Sequence, residues 1–223
     1  DAPTPSVEAL LHHFLPHAFV DHTHATAVLS LPDQPDGAAR CAELYRGRLA
    51  IVPYIPPGFL LARRAAEIYA ADPAVEGLVL VKHGVFTFSE TARDSYERMI
   101  AAATQAEEVL AQGRRPVFTA AALPVTLAPV AMVAPIVRGA CAVADPEGGG
   151  AWQRFVLDFR AGPVLRDFVG GAELRRYALA GVATPDHTIR TKNWPLIVPA
   201  PEAGGLDAFA AAVRAAVAAF VAR

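Results

Sequence analysis

Residues Gly77 to Val81 read Gly-Leu-Val-Leu-Val, an apolar run of strand length with no polar interruption. A strand with one wet face alternates apolar and polar side chains, whereas a run without alternation has to be covered on both faces. The chain must therefore supply helices for two sides of a sheet. Phe59 to Ala71 and a stretch from about Glu90 to Ala111 read as those helices. With 53% hydrophobic residues among 223, the apolar material suffices for a sizeable core. Sequence pattern alone gives a mixed α/β protein.

Proline, glycine and capping residues mark out the other elements. Thr4 as N-cap and Pro5 at the first helical position open a helix carrying Val7, Leu10, Leu11 and Phe14, with Glu8 near its start and Pro16 as its stop. Phe19 to His24 reads as a strand, Thr26 to Leu31 as a short helical turn before the Pro32 to Gly37 loop, and Arg48 to Ile55 as a second strand ended by Pro56-Pro57-Gly58. Ser89 is the predicted N-cap of the helix beginning near Glu90, and Gly113 its predicted stop. A soft boundary near residue 113 divides a core, residues 1–112, from an extension, residues 113–223, that is expected to pack on it.

The extension differs in character. Pro116 to Val137 carries no charge, but Pro116, Pro124, Pro129 and Pro135 would repeatedly break the hydrogen bonds of a membrane span, so the stretch reads as a buried, broken helical region. A Gly148-Gly149-Gly150 loop, a strand-like Arg154 to Phe159 and an alanine-rich final helix, Leu206 to Arg223, follow. A formal net charge of -2 gives no basic field to gather phosphates, which argues against a nucleic-acid or anionic-membrane partner. Cys41 and Cys141 form no spaced cluster, which suits a reducing cytoplasm. Asp1 opens a polar stretch that does not resemble a signal peptide, and the absence of an initiator Met suggests a piece of a longer chain.

Five of the seven histidines, His12, His13, His17, His22 and His24, fall within the first 24 residues, and His83 closes the apolar run. In a strand, residues i and i+2 share a face, so His22 and His24 converge on one point. A catalytic zinc takes three protein ligands and keeps one position open, which His22, His24 and a third ring from a neighbouring strand, His83, would meet. An isolated H-x-H is equally compatible with two solvent-facing strand residues. Gly84 directly after His83 allows a tight turn and a close approach to a substrate.

The segments HTHATAVLSL (22–31) and VKHGVFTFSETARDSYERM (81–99) resemble the class II aldolase and adducin family, zinc enzymes of the fuculose-phosphate and rhamnulose-phosphate aldolase type. PSVEALLHHFLPHAFVDHTH (5–24) and ATPDHTIRTKNWPLIV (183–198) are similar to the aldolase portion of bifunctional rhamnulose-1-phosphate aldolase and short-chain dehydrogenase proteins. The resemblance implies a three-layer αβα fold with a central, mostly antiparallel sheet. It implies Zn2+ on His22, His24 and His83, and Glu8 as the catalytic acid/base. It also implies a symmetric homo-oligomer in the cytoplasm that cleaves L-rhamnulose 1-phosphate to dihydroxyacetone phosphate and L-lactaldehyde. Val7 departs from the family pattern where a second serine helps hold phosphate, and the family's earlier phosphate loops would precede Asp1. No dinucleotide fingerprint opens a strand-turn-helix unit, so a dehydrogenase domain is expected in the full-length chain and no NAD on this part.

Three other readings stand beside this one. Lys82, at the end of an apolar strand, could form a Schiff base if desolvation freed its amine. A sugar-phosphate 4-epimerase would use the same zinc, and an adducin-like interaction module would use none. His12 and His13 read as surface helix residues, His17 as a loop residue and Tyr96 as a packed helix residue. Asp186, His187, Arg190 and Lys192 form a polar and basic loop cluster that could meet a phosphate or a neighbouring subunit.

Overall fold

The computed structural model describes residues 2–113, 119–145 and 149–223. It divides into two compact units, Asp1–Arg115 with Val182–Asn193, and Pro116–Gly181 with Trp194–Arg223. In the first, helix α1 (Ala9–Phe14) leads into strand β1 (Phe19–Thr23), followed by helices α2 (Thr26–Leu29) and α3 (Gly37–Tyr45) and strand β2 (Leu49–Val52). Helix α4 (Phe59–Ala71), strands β3 (Gly77–Leu80) and β4 (Gly84–Ser89) and helix α5 (Ala92–Gln112) complete the run. The strands form one sheet in the order β1-β4-β3-β2. β1 and β3 both run antiparallel to β4, while β2 lies parallel to β3. That single parallel pair requires a crossover, and α4 provides it. The sheet is thus mixed and mostly antiparallel, within an α/β fold.

The unbroken apolar run behaves as its sequence requires. Leu78 and Leu80 of β3 and Phe86 and Phe88 of β4 pack on one side with Leu11 of α1, with Leu15 just beyond it, and with Leu61, Ala62 and Ala65 of α4. Val79 and Val85 turn the other way, onto Val28, Cys41, Tyr45 and the α5 residues Met99, Ala102 and Ala106. Helices therefore cover both faces, and every residue of β3 and β4 is buried. Each large side chain so enclosed is worth roughly 1.5–3 kcal/mol over leaving it in water.

Several boundaries move for physical reasons. α1 starts at Ala9 with Glu8 as its cap residue, not at Pro5, because Val7 and Leu10 stay exposed and only Leu11 and Leu15 find a core to enter. Ser89 ends β4, and the cap of α5 is Thr91, whose Oγ1 accepts the Asp94 N–H at 3.1 Å. The sequence pattern missed α3; its buried Cys41 and Tyr45 are one helical turn apart, too short a signal to separate from the loop before it.

The second unit contains helix α6 (Val130–Ala140), a two-residue pair of strands β5 (Val143–Ala144) and β6 (Trp152–Gln153), and short helices α7 (Pro163–Val169) and α8 (Leu174–Ala178). The chain then contributes helix α9 (Pro185–Arg190) to the first unit and returns as helix α10 (Leu206–Ala222), which packs on α6. Two expectations fail here. Arg154 to Phe159 forms no strand, since it has no ladder partner among the described residues, and α6 has no buried residue although Pro116 to Val137 reads as a buried region. Residues 116–118 of that stretch and Gly148 lie outside the described residues. No helix among the described residues is long and apolar enough to cross a membrane.

Candidate metal centre

Local structure places each of the four residues by a different constraint. β1 carries His22 opposite Phe86 of β4, with the imidazole stacked on that ring at 4.1 Å and 14°. His24 follows one residue past the strand end and turns to the same side, as the period of two requires. His83 sits in the turn between β3 and β4, where its N–H donates to Leu80 O at 3.1 Å. Glu8 caps α1 on the side that Leu11 and Leu15, three and seven residues on, bury in the core.

The left-handed position in the β3–β4 turn is taken by Lys82, with φ of 59°, rather than by glycine. Gly84 is needed for a different reason from the tight turn its sequence suggests. A Cβ there would lie 2.6 Å from Thr23 O, 2.7 Å from His22 Cε1 and 3.0 Å from His24 Cδ2. The missing side chain is the space the two rings occupy.

The three Nε2 atoms and the Glu8 carboxylate meet, with all four ligand atoms within 4.8 Å of one another. His22 and His24 Nε2 are 3.0 Å apart, and Glu8 Oε1 lies 2.8 Å from His83 Nε2, 3.2 Å from His22 Nε2 and 3.9 Å from His24 Nε2. Hydrogen bonds on the far side fix which nitrogen carries the proton. His22 Nδ1 donates to Val85 O at 3.0 Å and His24 Nδ1 donates to Asp186 Oδ2 at 2.9 Å, because a carbonyl and a carboxylate only accept. Neutral His22 and His24 therefore point two lone pairs at each other, an arrangement that repels unless a cation or a proton lies between them. Donors on a tetrahedral zinc, about 2.0–2.1 Å from the ion, are about 3.3 Å from one another, close to the observed spacing. The residues fit a divalent metal. His83 Nδ1 is buried and has no hydrogen-bond partner among the described residues, unlike its counterparts on His22 and His24.

Electrostatics tie the group to pH. Burial pushes the His22 imidazole down to about 4, against the opposing pull of Glu8. Burial alone would raise the Glu8 carboxyl, but the hydrogen bond from His83 and the fields of His22, His83 and His24 outweigh it and hold the group below its usual range. The unfolded chain takes up the His22 proton near pH 6.5 and the folded one only near 4, so this stabilisation is present above 6.5 and lost as the pH falls to about 4. Glu8, also lowered, loses its contribution in acid too. Urea unfolding of the metal-stripped protein is expected to show a loss of about 3 kcal/mol from His22 over that window, and His22→Asn is expected to flatten the slope.

The other candidates are spread out. His12 sits edge-on to Phe86 at 5.2 Å, and His13 lies beside Phe14. His17 is more than a loop residue: it stacks on Phe88 at 4.5 Å and bonds Tyr69 through Nε2 and Glu90 through Nδ1. Tyr96 is 58% exposed, which removes it from a packed role. Lys82 Nζ lies 5.9 Å over the Tyr54 ring. Of the cluster expected in a loop, Asp186, His187 and Arg190 lie in helix α9 and Lys192 follows it, with Asp186 on His24 and His187 Nδ1 3.4 Å from Thr184 Oγ1. Sequence reasoning left Asp186 unassigned, because its partner is 162 residues away and no local pattern encodes such a pairing.

Two family models match the chain: the class II aldolase and adducin N-terminal domain over residues 1–110, and the second domain of class II aldolase over residues 128–223. The chain belongs to the class II aldolase superfamily. A curated relative, the uncharacterized oxidoreductase YuxG of Bacillus subtilis, is 32% identical over 203 residues, which are 88% of this class II aldolase chain and 28% of that protein. The chain thus spans little more than a quarter of the curated relative it matches. Among solved structures, the N-terminal class II aldolase domain of a conserved Thermoplasma acidophilum protein is 40% identical, with a TM-score of 0.45, over 48% of this chain and 49% of that one. A sugar-phosphate aldolase from Thermotoga maritima is 20% identical, with a TM-score of 0.41, over 52% and 58%.

Proposed function

We propose that the protein is a zinc-dependent aldolase that cleaves a ketose 1-phosphate, with L-rhamnulose 1-phosphate giving dihydroxyacetone phosphate and L-lactaldehyde. The observation that carries this reading is the convergence of three imidazole Nε2 atoms and one carboxylate in a single cluster. Zinc held by His22, His24 and His83 would act as a Lewis acid beside the ketose oxygens, where cleavage builds negative charge.

The chain's own groups do the rest. In cleavage the ionised Glu8 takes the C4 hydroxyl proton as the C3–C4 bond breaks, the electron pair stays on C3 and the aldehyde departs; the protonated Glu8 then delivers that proton to C3, and synthesis runs the same steps in reverse. Its neighbours keep the Glu8 carboxyl ionised near neutral pH, the form that abstracts a proton. Val85 O and Asp186 keep the Nδ1 atoms of His22 and His24 protonated, so that both Nε2 atoms stay free to coordinate. Residues 1–112 are the catalytic core of this scheme and 113–223 an extension towards a dehydrogenase domain that oxidises the aldehyde. The name of the B. subtilis relative supports that partner. The working form is a cytoplasmic homo-oligomer.

A panel of ketose 1-phosphates, incubated with metal-stripped full-length protein with and without zinc, tests the reading through released dihydroxyacetone phosphate. Release is expected only with zinc and fastest from L-rhamnulose 1-phosphate. Formation of an epimer without free aldehyde would assign a 4-epimerase instead. Activity that survives chelation, with a Lys82 adduct trapped by borohydride, would replace the zinc mechanism. A protein that binds no zinc and turns over nothing would be an adducin-like interaction module.

A further inference from the structure

Beyond the ligands themselves, we propose that Asp186 is a positioning residue of the metal centre, and that through it residues 182–193 form a clasp which metal binding tightens. The inference rests on the metal-centre reading above and adds to it a residue from a distant part of the chain.

His22 and His24 are held very differently. His22 lies within the β1–β4 ladder, stacks on Phe86 and donates to a backbone carbonyl. His24 lies beyond the last ladder pair, Thr23 with Val85. Among the described residues, the only hydrogen-bond partner of its ring outside the cluster is Asp186, at 2.9 Å. Without that carboxylate the ring is free to move its proton to Nε2 or to rotate, and either change turns a lone pair away from the ion. Asp186 is itself held by a hydrogen bond from Thr184 at the start of α9.

The dependence runs both ways. α9 has six residues, too few to be stable alone, and among the described residues its other hydrogen bonds, Thr184 with His187 and Thr191 with the His187 carbonyl, are local. A cation on Nε2 draws electron density from the ring and strengthens the Nδ1–H bond to a carboxylate, while the carboxylate makes the ring a better ligand. By linkage, whatever Asp186 adds to metal affinity, the metal adds to the attachment of α9.

The test compares the full chain with its D186A and D186N variants. Zinc affinity from chelator competition is expected to fall roughly 10- to 100-fold in D186A. D186N should lie between, since its carboxamide oxygen still accepts the Nδ1–H bond without the charge. Cobalt(II) substitution should shift the visible absorption bands in D186A, and zinc should slow trypsin cleavage after Arg190 in the parent chain but not in D186A. Unchanged zinc affinity and cobalt spectrum in D186A would overturn the proposal while leaving the metal centre standing. So would a lower melting temperature of metal-free D186A with affinity intact, since that marks a purely structural contact. A parent chain that binds neither metal overturns the centre and, with it, this role for Asp186.

Discussion

Replacing Glu8 by glutamine is expected to cut turnover of the ketose phosphate roughly a hundredfold to ten-thousandfold while zinc remains bound. Glutamine keeps the size of the side chain and an oxygen at the place of Glu8 Oε1, 2.8 Å from His83 Nε2, so little around it has to move. What it loses is the ability to carry a proton to or from carbon. The result is read from kcat, KM and zinc content measured on the same preparation. A fall in kcat with little change in KM and full zinc places Glu8 in proton transfer. Lost zinc would instead make Glu8 a fourth ligand, an outcome its 2.8–3.9 Å distances to the three Nε2 atoms make worth measuring. Unchanged turnover would remove Glu8 from the chemistry altogether.

The parts of this molecule legible in its sequence are those set by short-range periodicity. The apolar run Gly77 to Val81 announces a doubly covered strand, and the spacing of His22 and His24 announces two rings on one side. The bounds of α4 coincide with those its pattern gives, and α10 ends one residue short. Exposed or local competition hides the rest. Val7 and Leu10 fit a helical face yet bury nothing, so α1 begins later than its capping pattern suggests. The exposure of α6 contradicts its apolar composition, because hydropathy states what a segment prefers and not whether other chain is there to cover it. Sequence order also conceals the link between Asp186 and His24, which exists only once the fold has brought α9 beside β1.

Gly84→Ala is expected to weaken zinc binding at least about a hundredfold, because metal–ligand distances tolerate only about 0.2 Å of error. The added methyl would meet Thr23 O at 2.6 Å, and that oxygen cannot withdraw without opening the ladder in which Thr23 pairs with Val85. The rings must give way instead. His22 Cε1, at 2.7 Å, is bonded to both ring nitrogens, so a displacement disturbs the Val85 hydrogen bond and the Nε2 direction together. His24 Cδ2, at 3.0 Å, adjoins the other converging Nε2. Overpacking of this kind costs about 1–3 kcal/mol, which a melting curve of the metal-free variant would register. Gly139→Ala in α6 is the control: among the described residues a Cβ there meets nothing within 4 Å, so it should leave zinc affinity alone and stabilise its helix by up to about 1 kcal/mol. Parental zinc affinity in Gly84→Ala would mean that the rings reach the ion by another path, and that the close packing around Gly84 serves the turn rather than the metal.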